Sequence, residues 1–191
     1  MGRGKIDRTL LINKASQLFS QSGYYNTTMD DIAKACNIQK SSLYHHIPSR
    51  KALVLMTINH IIDNTKQQLQ HVYDSKLTPQ ERLYALANTI EQIVTETNSY
   101  TLIMTLTIEI AETIPEVNLL TKQYFQEWIN AISSVLGEVY DTTKARHTAE
   151  DILSHVQGAI FLAKSLQKTE IFKRAIQCLQ KSLPMPLSIT T

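Results

Sequence analysis

Hydrophobic residues recur along the chain at the three- and four-residue spacing of amphipathic helices, and no segment alternates apolar and polar residues as a strand does. A first helix is predicted from about Asp7 to Ser22, and Gly23 is expected to end it. Residues 99–113 are apolar around most of the helical circumference, which predicts a central, buried helix. The pattern therefore predicts an all-α protein.

Local signals predict two short helices joined by a tight turn. Thr28 is expected to cap a helix over 29–35, with Asp31 near its positive end. Asn37 stands in a three-residue turn, at a position that often needs the left-handed backbone conformation. A second short helix is predicted over 39–46. This layout is typical of a helix-turn-helix.

Longer helices are predicted to follow. Ser49 is expected to cap a helix to about Tyr73, and the Thr-Pro-Gln-Glu run at 78–81 starts another that reaches about Thr97. Further helices are predicted over about 115–140, 147–167 and 170–182. The helix over 147–167 carries two apolar faces, so we expect it to pack within its own domain and against a second subunit.

Charge is distributed unevenly, although the 191 residues carry a formal net charge of only +2. Residues 1–53 hold eight Lys and Arg and three acidic residues, a balance of +5. Residues 54–191 hold eleven basic and fourteen acidic residues, a balance of −3. A basic N-terminal segment on an acidic body indicates a polyanionic partner for that segment.

The predicted second short helix has chemistry that suits DNA reading. Leu43 and Ile47 lie four residues apart and form its inward face. Ser41 and Ser42 are small enough for the backbone to approach base edges, and Lys40 can donate to guanine. The alternative is a pair of short surface helices with a solvated polar face. The predicted DNA contacts are Lys40, Ser41 and Ser42 to bases, Thr28, Tyr44, Arg50 and Lys51 to phosphates, and the neighbouring His45 and His46.

Residues 10–56 resemble the N-terminal domain of the tetracycline-repressor (TetR) family of bacterial regulators. The departures remove no needed chemistry: this chain has Asn37, Gln39, Ile47 and Arg50 where the family usually has Gly, Ser or Thr, Phe and Lys. Asn37 is conservative at a left-handed position, and Gln39 is a weaker helix cap than Ser or Thr. The segments that carry the resemblance are Ala15-Ser16-Gln17-Leu18-Phe19, Gly23-Tyr24, Thr27-Thr28-Met29-Asp30-Asp31-Ile32-Ala33, Leu43-Tyr44-His45-His46-Ile47 and Ser49-Arg50-Lys51-Ala52-Leu53.

The resemblance implies a three-helix DNA-binding domain followed by a helical ligand-binding and dimerisation domain. It implies a homodimeric transcriptional regulator, most simply a repressor that a small molecule releases from a palindromic operator. Ligand would shift the helix over 50–73 and change the separation of two recognition helices, which must match major grooves about 34 Å apart. The alternative is a helical dimeric ligand-binding or protein-interaction module that keeps the helix-turn-helix only as structure. The predicted boundaries are 5–53 for the DNA-binding domain, with the motif at 28–47, 54–183 for the second domain and 184–191 for a tail.

The resemblance also implies an effector pocket. Its aromatic and apolar candidates suit a moderately hydrophobic effector, apolar or aromatic, rather than a multiply charged anion. Packing in the core is the alternative interpretation of Tyr124, Trp128 and His155. Glu109 and Glu112 are candidates for a cationic ligand or are simply solvated acids. The predicted lining residues are Tyr100, Met104, Tyr124, Trp128, His155 and Phe161.

Neither an enzyme nor a metal site is predicted, and no cofactor is expected. The six histidines form no four-apart pair, and no Gly-rich phosphate loop is present. Cys36 and Cys178 lie far apart without a partner motif, which fits a reducing compartment. With no signal segment or membrane span predicted, we expect a cytoplasmic location.

Overall fold

A computed structural model describes residues 7–74, 76–96 and 99–182, apart from the side chains of residues 96 and 99–101. Regular structure in these ranges is entirely helical, which confirms the all-α prediction. None of the helices in these ranges has the length and hydropathy needed to cross a membrane. In chain order they are α1 (Arg8–Ser22), α2 (Met29–Ala35), α3 (Lys40–His46), α4 (Arg50–Leu69), a 3₁₀ turn (Gln70–Tyr73), α5 (Pro79–Glu96), α6 (Ser99–Ile110), α7 (Pro115–Leu136), α8 (Thr142–Ser165) and α9 (Thr169–Gln180).

Most helix ends lie where the sequence signals predict them. The Asp7 carboxylate accepts a hydrogen bond from the backbone N–H of Thr9 at 2.9 Å and so caps α1. Gly23 ends α1 with φ 77°, a conformation that favours glycine. At the start of α5, the Glu81 carboxylate accepts from the Thr78 N–H at 2.7 Å, and the Thr78 hydroxyl accepts from the Glu81 N–H at 3.3 Å.

Three expectations about the longer helices are wrong. α8 begins at Thr142 rather than about 147, because the Asp141 carboxylate caps it by accepting from Lys144 N–H at 3.0 Å. α7 ends at Leu136, four residues before the expected end, with Gly137 next in the chain. α6 is not buried all round, since the side chain of Ile108 is 79% exposed.

The chain divides into two compact units. The first contains the residues up to Thr65 together with Glu96–Tyr124, and there α1 packs against α2 and α6 while α2 packs against α3. In the second, Lys66–Thr95 with the residues from Phe125 onward, α8 packs along α9. The buried Arg82 of the second unit donates from Nε to the Val72 carbonyl at 2.5 Å and forms an ion pair with Glu138.

Candidate DNA interface

The helix-turn-helix is built from a reciprocal cap, a left-handed turn residue and two buried anchors. The Thr28 hydroxyl accepts from the Asp31 N–H at 3.2 Å, and the Asp31 carboxylate accepts from the Thr28 N–H at 2.9 Å. Asn37 has φ 54°, as its place in the turn predicts. Leu43 and Ile47 are buried, which confirms the inward face of α3.

The cap also fixes the charge of Asp31. Hydrogen bonds from the Thr28 side chain and backbone hold the pKa of Asp31 below its ordinary value, and the nearby Lys34 and Lys40 lower it further. The side chain is therefore a carboxylate at neutral pH. A negative charge in the first turn of α2 favours the helix, because it faces the positive end of the helix dipole.

The side of α3 opposite its anchors is polar and open. Ser42 is half-buried at its edge, and Gln39 at the start of the helix makes no side-chain capping bond, as its weak capping ability predicts. Since Leu43 and Ile47 occupy the buried side of α3, the side chains on its opposite side are available to contact a partner. The exposed residues of this side are Lys40, Ser41, Tyr44, His45 and His46.

A shallow depression of about 320 Å³ lies beside this face. Its lining brings together predicted DNA contacts from the start of α2, from α3 and from the start of α4. Hydroxyl, ammonium and guanidinium donors on one concave surface suit the oxygen atoms of a phosphate backbone. The lining residues are Thr28, Met29, Lys40, Tyr44, Pro48, Ser49 and Arg50.

Two of the predicted phosphate contacts already have partners within the chain. Arg50 donates from Nη1 to the Thr27 carbonyl at 3.0 Å, and its guanidinium lies 4.1 Å from the centre of the Tyr24 ring. Lys51 forms an ion pair with Glu116 at 2.7 Å. These partners lie far along the chain, so no local pattern could have predicted them. Arg50 joins the start of α4 to the segment between α1 and α2.

Comparison with known families decides what kind of protein carries this interface. Residues 11–56 match the model of the bacterial regulatory proteins of the tetR family. Residues 79–178, more than half of the chain, match the model of the C-terminal domain of LmrA/YxaF-like transcriptional regulators. The chain belongs to the TetR family of transcriptional regulators. The predicted family resemblance is thereby confirmed, and with it the interpretation of the chain as a DNA-binding regulator.

Individual transcriptional regulators resemble the chain over most of its length. The biofilm operon icaADBC HTH-type negative transcriptional regulator IcaR of Staphylococcus aureus is 28% identical over 141 residues, which are 74% of this chain and 73% of IcaR. A TetR transcriptional regulator from Legionella pneumophila has the same fold, with a TM-score of 0.81 and 22% identity over 96% of this chain and 100% of that one. The regulator FadR from Bacillus subtilis, solved in complex with stearoyl-CoA, has a TM-score of 0.69 and 13% identity over 92% of this chain and 99% of that one.

The predicted effector contacts of this TetR-family chain differ in burial. Tyr124 and Trp128 on α7 are buried, and Met104 on α6 is half-buried. His155 is exposed, which overturns its interpretation as a core histidine, and Phe161 is 66% exposed. Because both side chains of α8 are exposed, they fit poorly with a pocket inside the subunit. The side chain of Tyr100 lies outside the described residues.

α8 has a second surface that sequence periodicity predicted only in outline. The first surface of α8 is buried and includes the apolar side chains of Leu153, Val156 and Ile160. Phe161 and Leu162 are exposed in the last turns of the same helix, and Leu166 is exposed directly after its last residue. Large apolar side chains grouped on an exposed helix mark an interaction surface. We call these three residues the α8 apolar face.

Proposed function

We propose that the chain represses transcription by binding a palindromic operator as a homodimer. The observation that carries the proposal is the open polar side of α3, with Lys40 and Ser41 exposed and Leu43 buried behind them. This arrangement supports entry of α3 into a major groove, where lysine and serine can meet base edges. The likeness to IcaR, a negative transcriptional regulator by name, supports repression rather than activation.

The α8 apolar face supports the homodimeric part of the proposal. Phe161, Leu162 and Leu166 are 66%, 47% and 54% exposed, an unfavourable state for three hydrophobic side chains at the end of α8. In a dimer, a second α8 removes them from water. Two linked copies then present two α3 helices to the two halves of a palindrome.

Release by a small hydrophobic effector is the regulatory part of the proposal. Tyr124 and Trp128 on α7 are buried aromatic side chains, and a cavity that opened beside them would suit an apolar or aromatic molecule. FadR from Bacillus subtilis, which has the same fold, was solved with stearoyl-CoA. An effector changes operator affinity only if it binds the two conformations of the dimer unequally.

A gel-shift experiment tests the proposal. The probe is the DNA upstream of the chain's own gene, with unlabelled probe and random DNA as competitors. We expect a shift that the unlabelled probe removes and that random DNA leaves in place, at a fixed salt concentration. Equal competition by both DNAs would contradict specific operator binding and favour the ligand-binding or protein-interaction alternative.

Adding candidate apolar molecules to the same assay tests the effector. A true effector should reduce the shift and change the fluorescence of Trp128, the single tryptophan of the chain. Trp128→Ala should leave operator binding intact and make the effector ineffective. A fluorescence change without any loss of the shift would separate binding of that molecule from regulation.

A further inference from the structure

Glu109 on α6 makes a contact that the DNA interface does not use directly. Its carboxylate oxygen Oε2 accepts a hydrogen bond from the backbone N–H of Tyr24 at 2.6 Å. Tyr24 lies two residues beyond the end of α1 and is buried, so its N–H is lost to water and needs a partner within the protein. Glu109 supplies that partner from 85 residues away.

Because Gly23 has no side chain, the Glu109 carboxylate can approach its backbone closely. Its backbone has φ 77° and ψ 174°, which is essentially a glycine conformation. A Cβ atom at this position would lie 2.2 Å from Oε1 of Glu109, so any side chain would push the carboxylate away. The glycine therefore meets two demands at once, the turn after α1 and the close approach of α6.

The contact is not one that helix electrostatics favours. A carboxylate near the C-terminal end of a helix faces the negative end of its dipole, and α1 has no basic residue in its last turn. The hydrogen bond to Tyr24 and the packing of α6 against α1 offset this cost. Because the packing of α1 against α6 helps to hold this contact, the contact is sensitive to the relative position of these two helices.

The same segment is tied to α4. The ring of Tyr24 carries the Arg50 guanidinium at 4.1 Å, and Arg50 is the first residue of α4. Lys51 also pairs with Glu116 in the first turn of α7, but both side chains are about half exposed, so this ion pair contributes little. The segment at Tyr24 therefore has a partner on α6, through the Glu109 carboxylate, and another on α4, through the Arg50 guanidinium.

We propose that Glu109 is a positioning residue, which fixes the helix-turn-helix on α6 and thereby sets the half-site spacing that the dimer accepts. This inference rests on the proposed function, because it requires a dimer with two DNA-reading helices. Specific binding needs both helices in register with their half-sites, whereas non-specific binding uses mainly phosphate charge and tolerates misplacement. Loss of the contact should therefore weaken specific binding selectively.

The test compares Glu109→Leu with Glu109→Gln. Leucine fills a similar volume without a hydrogen-bond acceptor, whereas glutamine keeps an acceptor oxygen. Glu112→Leu is the matched control, since Glu112 is an exposed acid just beyond the end of α6. An operator is first selected from random duplexes with the wild-type protein. Fluorescence anisotropy then measures affinity for that operator, for versions with one base pair added or removed between the half-sites, and for random DNA.

We expect Glu109→Leu to bind the selected operator about tenfold more weakly and to discriminate less between the three spacings, with its affinity for random DNA unchanged. Glu109→Gln and Glu112→Leu should behave as the wild type. If Glu109→Leu does not fold, Glu109→Ser, which cannot reach Tyr24, takes its place with the same expectation. Unchanged spacing discrimination in the variant would overturn the inference. Failure to select any operator with the wild-type protein would instead overturn the proposed function on which the inference rests.

Discussion

α3 and α8 both leave one side uncovered, and the chemistry of the two sides is opposite. The open side of α3 carries Lys40, Ser41 and Tyr44, whereas the open side of α8 carries Phe161 and Leu162. The first offers hydrogen-bond donors and positive charge, and the second offers apolar surface. A polyanion is the natural partner of the first, and a second copy of the chain is the natural partner of the second.

The two helices also differ in the contacts that stabilise them. α3 has seven residues, too few to be stable alone, and depends on the buried Leu43 and the turn at Asn37. α8 has 24 residues and buries one side along α9. A short helix on a fixed support suits the reading of a few bases, whereas a long helix provides the area that a stable dimer needs.

The largest expected effect comes from a charge placed on the α8 apolar face. Phe161→Asp should weaken dimerisation about 100-fold or more, because the interface would bury an unpaired carboxylate in place of an aromatic ring. The fold of the single chain should survive, since Phe161 is 66% exposed. Sedimentation equilibrium measures the change.

Asn88→Asp is the control for this variant, because it adds the same charge at an exposed polar position of α5. It should leave the dimer intact. If Phe161→Asp sediments as the wild type does, the α8 apolar face does not form the dimer, and the contrast between α3 and α8 fails for α8.

The next expected effect concerns the open side of α3 and its predicted contacts with DNA. Lys40→Ala should change which base is preferred at one operator position, at a cost of about 1–3 kcal/mol there, because Lys40 is assigned to a base edge. Tyr44→Ala removes a predicted phosphate contact and should weaken binding to all operator variants about equally. Lys168→Ala removes an exposed positive charge elsewhere and should change neither property. Uniform weakening by Lys40→Ala would show that Lys40 contacts phosphate.

How much of this organisation the sequence could predict depends on the distance over which each signal acts. Thr28 and Asn37 were predictable because a cap and a left-handed turn are decided within three or four residues. The bond between Glu109 and Tyr24 was not, because it spans 85 residues and depends on how α6 meets α1. Spacing also could not tell which apolar side of α8 would be covered within one chain. The apolar run over 99–113 predicted a buried helix, although Ile108 within it is exposed.

The smallest expected effect concerns Gly158, in the middle of α8. No atom of the chain lies within 4 Å of a Cβ built at this position, so leucine fits within the single subunit. Gly158→Leu should stabilise α8, because leucine favours a helix more than glycine does. It should weaken the dimer about tenfold if a partner helix approaches here closely. Thermal unfolding and sedimentation separate the two effects, and an unchanged dimer would place Gly158 outside the interface.

Footprinting of the selected operator tests whether α8 pairs two copies so that α3 can read DNA, because it probes the exposed sides of both helices in one experiment. We expect two protected half-sites whose centres are separated by one helical turn, about 34 Å, or a multiple of it. We also expect Phe161→Asp to remove both protections at wild-type protein concentrations, although α3 is unchanged in this variant. Protection of a single half-site by the wild-type chain, or full protection by Phe161→Asp, would contradict the claim that α8 pairs two copies so that α3 can read DNA.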